Sequence, residues 1–119
     1  MQLYLLSVHH PEDAASKPPP EVLDRIDREL AAFHEELRAT GAWVFAGGLH
    51  PSTTAAVVRA EVDGVVMTDG PYAETKEQLG GICIVRADGR DAALALGARA
   101  SAATGLAVEV RAFLHGEVD

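Results

Sequence analysis

Between Asp69 and Lys76 the chain carries two carboxylates, a phenol and an ammonium, from Asp69, Tyr72, Glu74 and Lys76. Mixed groups of this kind around an aromatic ring suit a polar small ligand. A carboxylate or ammonium withdrawn from water can also be tuned for proton transfer. Gly70-Pro71 forces a sharp turn here, which places Asp69 at a strand end. The expected roles are that Asp69 and Glu74 orient the ligand or take protons, Lys76 pairs with an anionic group, and Tyr72 stacks or donates. His50 follows Gly47-Gly48-Leu49 at another strand end and can reach the same cleft, where an imidazole titrating near neutrality is a ready proton acceptor. Each residue also has a purely structural reading. Asp69 can cap the turn, Glu74 and Lys76 can form a solvated pair, and His50 can be a surface loop residue.

Other reactive side chains point to little. There are five histidines. His9 and His10 are adjacent, so on an extended strand they point apart and do not share a metal. Neither a His-x-x-x-His motif nor an acidic cluster with metal-ligand spacing is present, so no metal site is expected. His34 lies beside an apolar helical stripe and reads as packing. Cys83 sits in a strand that is apolar on both faces, the setting of an inert core thiol. The G-x-S-x-G elbow, the phosphate loop and the dinucleotide fingerprint are all missing, so those hydrolase, nucleotide and dinucleotide chemistries are not indicated and no cofactor is expected.

The elements that must position these residues follow from periodicity. Gln2 to Val8 reads as a strand bounded by His9-His10-Pro11. A loop ends in Pro18-Pro19-Pro20, and a helix runs from Glu21 to Thr40, with Val22, Ile26, Leu30, Phe33 and Leu37 at spacings of three and four. Gly41 terminates it. Trp43 to Gly48 is a second strand. Thr54 to Val62 and Val65 to Thr68 form a hairpin through Asp63-Gly64, which supplies the positive φ angles that a two-residue turn requires. Gly80 to Val85 is a further strand. Asp88 caps a second, Ala-rich helix from Arg90 to Ala103, and Ala107 to Phe113 is the last strand. The fold class is α+β, a ferredoxin-like βαββαβ plan with an extra hairpin strand, in one domain over residues 1–119.

Alternation then makes a demand. Leu3 and Leu5 oppose Tyr4 and Leu6, and Ile82 and Ile84 oppose Cys83 and Val85, so both strands are apolar on both faces. Two helices cover one face. A second sheet from an identical subunit covers the other most simply, so a homodimer is expected; the alternative is a curved sheet closing on its own loops.

The run Thr68-Asp69-Gly70-Pro71-Tyr72-Ala73-Glu74-Thr75-Lys76-Glu77-Gln78-Leu79-Gly80-Gly81 resembles the signature of the DGPF-motif branch of the YCII-related family, with Tyr72 where that branch usually has Phe. The resemblance extends to the first strand, to Glu35-Glu36-Leu37-Arg38 before Gly41, and to the closing Val108-Glu109-Val110-Arg111. It implies a dimeric α/β barrel with a cavity between sheet and helices or at the dimer seam. It implies no common reaction. Some YCII-related proteins are thought to use a His–Asp pair, but the helical position for that histidine is Leu30 here, and Asp is missing near the end of the second helix. Relatives are often found beside alternative sigma factors, which implies a regulatory setting.

Composition limits the partners. Of 119 residues 48% are hydrophobic, enough for a core, and acids outnumber bases 18 to 10 for a net charge of −8. Without a basic face to neutralise phosphates, no nucleic-acid partner is expected, and an anionic membrane surface is disfavoured for the same reason. No apolar run approaches the roughly 20 residues of a membrane span. One cysteine and no secretory pattern at the N-terminus lead to a cytoplasmic expectation. The sequence therefore points to a homodimer that binds an unknown polar small molecule, with metal-free proton transfer as the catalytic option. A non-enzymatic ligand sensor or interaction module is the alternative.

Overall fold

Proline at the first helical position costs no hydrogen bond, because that N–H has no partner in any helix. The first helix, α1, accordingly starts at Pro20 and runs to Thr40. It closes on Gly41, whose φ of 79° lets Ala42 N–H reach back to the Leu37 carbonyl at 2.9 Å. The structure is a computed structural model that describes residues 1–12 and 18–118. The expected loop before α1 falls mainly on residues 13–17, outside the described residues.

Strand β1 spans Gln2–Pro11, β2 Trp43–Gly48, β3 Ala56–Glu61, β4 Gly64–Asp69, β5 Glu77–Ala87 and β6 Ala107–Ala112; the second helix, α2, is Arg90–Thr104. Four strands form one antiparallel sheet in the order β2-β5-β1-β6. That is the ferredoxin-like arrangement, with the two doubly apolar strands at its centre.

Register assigns the faces. Tyr4 pairs with Val85 and Ala112, and Leu6 with Cys83 and Val110. These side chains meet Phe33 and Leu37 of α1 and Ala93 and Ala100 of α2 in one core. Leu3, Leu5 and Ser7 of β1, Ile82 and Ile84 of β5 and Phe45 of β2 lie on the opposite face, which the helices do not reach. The chain after β6 touches one end of that face, where Gly116 packs against Leu3.

Three features differ from expectation. The central pair is longer: β1 continues through His10 to Pro11, and β5 starts at Glu77. The ladder can extend because Gly80 is an extra residue in β5, absorbing the shift between the Val8–Gly81 and His9–Leu79 pairs. Second, among the described residues the hairpin joins no larger sheet. β3 and β4 pair only with each other through the Asp63-Gly64 turn and project as a two-stranded arm. Third, Asp88 does not cap α2; Gly89 holds the cap position without a side-chain hydrogen bond.

Candidate functional site

A hollow lies between the helices and the sheet, lined by the middle of α1 and the end of α2. This cavity has a volume of about 320 Å³. Its walls come from every layer: Val8 and His10 of β1, Leu30, Phe33 and His34 of α1, Ala46 to Gly48 of β2, Gly80 to Cys83 of β5, and Ala100, Thr104 and Leu106 at the far end of α2. The volume lies at the low end of the range of small-molecule sites. The floor depends on absent side chains. A Cβ on Gly80 would run into the His10 ring, and one on Gly81 would lie 3.2 Å from the Gly47 carbonyl oxygen.

None of these lining residues carries a formal charge at neutral pH apart from what its imidazoles take up. His34 packs its ring 5.1 Å from that of Trp43 and 6.1 Å from that of Phe33. Burial, and to a lesser degree the Arg38 guanidinium one turn on, hold its pKa below the ordinary imidazole value. Arg38 itself lies 4.2 Å over the Trp43 ring. His10 Nδ1 sits 2.9 Å from the Pro11 carbonyl oxygen. A carbonyl only accepts, so that contact places the proton on Nδ1 and leaves Nε2 of the neutral ring as an acceptor. Burial pushes the Cys83 thiol up to about 11, so it stays protonated and unreactive. The Thr104 hydroxyl is already used, donating to Ala100 O at 2.9 Å and accepting from Leu106 N at 3.2 Å.

The residues singled out in the sequence lie elsewhere. His50 and Tyr72 line a second, open depression of about 630 Å³, together with His9, Pro71, Gln78 and Leu79. His9 and His10 thus serve opposite sides of one strand, as alternation requires. Asp69, Glu74 and Lys76 line neither hollow; all three are exposed, and Tyr72 is 84% exposed. Asp69 ends the hairpin arm opposite Ala56, while the Lys76 backbone carbonyl accepts from Glu12 N at 3.0 Å. Gln78 Nε2 donates to Ala73 O at 2.7 Å and ties this loop down. Only the closing Gly80-Gly81 of the segment reaches the cavity under α1. Among the described residues, no three His, Cys, Asp or Glu side chains come together as metal ligands, and no helix is long and apolar enough to cross a membrane.

Sequence reasoning therefore missed His10 and His34 as cavity residues. A signal existed: His10 is two residues beyond Val8 on the helix-facing side of β1, and His34 follows Leu30 by four on α1. Leu30, where the family resemblance would put a histidine, is an apolar part of the wall.

Comparison with known proteins bears on the family of this chain. The family model for the YCII-related domain matches residues 1–114. An uncharacterised protein of Rhizobium meliloti (strain 1021) is 33% identical over 92 residues, which cover 77% of this chain and 74% of that protein. A match of this extent, over an α+β chain with the four-stranded order described, settles the family: the chain belongs to the YCII-related proteins.

Proposed function

We propose that this YCII-related protein binds a small molecule in the cavity beneath α1 and works as a homodimer joined through the open face of its sheet. The cavity carries the reading: its floor is kept open by Gly80 and Gly81, the last two residues of the Thr68–Gly81 run that also supports placement in the DGPF-motif branch. The catalytic chemistry such a site offers is proton transfer through its imidazoles. Two quantities favour the dimer. The chain exposes 8350 Å², roughly 2,000 Å² more than the ~6,200 Å² typical of a folded monomer of its mass. Its radius of gyration is 16.2 Å, against about 13.5 Å for a compact domain of this length. A standard interface needs about 800 Å² per partner, so the excess is ample.

Filling the cavity tests the binding reading. Toluene, p-cresol and cyclohexanone are the probes, read by thermal unfolding of the wild type and of Ala46→Leu, which places a larger side chain in the wall. A probe at ten times its Kd adds ~1.4 kcal/mol, or a few degrees in Tm. The expected result is a shift in the wild type that Ala46→Leu abolishes. If no probe shifts the wild type, or if the filled variant responds equally, the cavity is not the binding site. The open placement of Asp69, Glu74 and Lys76 favours a second reading, an interaction or sensor module acting through that exposed loop.

A further inference from the structure

Resting on the cavity reading, we infer that the ligand is an uncharged, largely apolar molecule carrying one hydrogen-bond donor, an O–H or N–H, which it gives to His10 Nε2 or to the His34 imidazole. Three observations carry this. First, among the described residues the lining contains no Asp, Glu, Lys or Arg, so a charged ligand would lose its hydration without a counter-charge. The nearby cations are engaged elsewhere: Arg38 lies over Trp43, and Arg99 pairs with Glu36 and sits 5.1 Å over Phe33.

Second, the wall holds one acceptor at a fixed place, His10 Nε2. The Thr104 hydroxyl is satisfied on both sides within α2 and its following turn. The His10 proton is held at Nδ1 by the Pro11 carbonyl, and the Cδ2–Nε2 edge of the ring lies over Gly80 at the cavity floor. Burial disfavours the charged form of His34, and its neutral ring adds one acceptor nitrogen and one N–H. Third, the remaining wall of Val8, Leu30, Phe33, Ala46 and Leu106 is apolar and takes a hydrocarbon body. This is a less polar ligand than the charged loop from Asp69 to Lys76 calls for.

Three probes with one shared body test it: p-cresol, its methyl ether 4-methylanisole, and the carboxylate p-toluate. Binding to the full chain is read at pH 8, above the ordinary imidazole range of about 6.5, from backbone amide shifts of Gly80 and Gly81 in NMR titrations. The expected order is p-cresol tighter than the ether by about 3- to 10-fold, the range for one neutral hydrogen bond, with p-toluate weakest. In the double variant His10→Phe/His34→Phe, which keeps two rings in place, p-cresol and the ether converge to within about twofold. Equal binding of p-cresol and ether to the wild type overturns the inference while leaving the cavity reading intact. A preference that survives in the double variant, or p-toluate as the tightest probe, overturns it as well. If none of the three moves those amides, the cavity reading itself fails and the inference with it.

Discussion

At the residue scale the distinctive group is His34. Its ring is packed against Phe33 and Trp43, with Arg38 one turn further along α1. Burial and then the guanidinium both penalise the imidazolium, so the folded-state pKa lies below the unfolded value of about 6.5. The unfolded chain then binds more protons than the folded one in that interval. Stability from this group is fully present above the unfolded value and is lost as pH falls from there through the depressed folded value. An NMR titration of the His34 ring is expected to give a midpoint under 6.5. Arg38→Gln should raise that midpoint only part of the way, because burial is the larger cause. Trp43 is the chain's single tryptophan, so its fluorescence reports the same protonation from 5.1 Å away. A midpoint at or above the ordinary value would mean that the ring is wet and charged, and the acceptor role assigned to it would be lost. The residue types at issue explain why the sequence pointed elsewhere. A cluster of charges between Asp69 and Lys76 is conspicuous in one dimension, whereas His10 and His34 become neighbours of one cavity only after β1, β5 and α1 have packed.

At the element scale, close approach is set by small residues. Gly97 faces β6 from α2, and a Cβ there would sit 2.5 Å from Cγ2 of Val110. Val110 is β-branched and stiff at χ1, so it cannot swing away cheaply. Gly97→Ala gains about 1 kcal/mol in helix propensity, yet overpacking costs about 1–3 kcal/mol, and a net loss is expected. Urea unfolding should show a lower midpoint at unchanged slope. Adding Val110→Ala should restore part of the loss, since the two side chains share one contact. A more stable Gly97→Ala protein would show that α2 has room to spare over the sheet. Elements with strong local signals were legible from the chain alone. The stripe from Val22 to Leu37 and the stop at Gly41 gave α1, and Asp63-Gly64 gave the hairpin turn. Where an element's extent depends on its neighbour, local signals fell short. Nothing within His9-His10-Pro11 says that β1 continues, because its partner Glu77 to Leu79 lies more than sixty residues on. The hairpin's departure from the sheet was equally hidden, since alternation is the same in a projecting arm as in a sheet strand.

At the scale of the whole molecule two apolar surfaces call for a cover. One is the sheet face around Leu5, Phe45, Ile82 and Ile84. The other is one side of the hairpin arm, where pairing of Val58 with Met67 and Ala60 with Val65 puts all four on one face. Met67 is 73% exposed and Val65 59%. Burying the sheet face against a second copy would also set the His9–His50–Tyr72 depression beside the seam, because His9 lies on that side of β1. The proposed homodimer then makes a concrete demand on mass. Sedimentation at micromolar concentration should give twice the 12.5 kDa of the chain. Ile84 pairs with Leu5 on one side and Phe45 on the other, at the centre of the open face and away from the helix-side core. Ile84→Lys should therefore shift the mass to that of one chain while far-ultraviolet circular dichroism stays unchanged, since a Lys there meets water in the monomer but would be buried unpaired in the dimer. Thermal stability of the wild type should rise with protein concentration, and that of Ile84→Lys should not. Met67→Lys separates the two surfaces: a dimer that survives it rests on the sheet alone, while one lost to it needs the arm as well. A wild-type chain that sediments as a single copy at every concentration would leave both surfaces facing water, and the excess of exposed area would then have no partner to account for it.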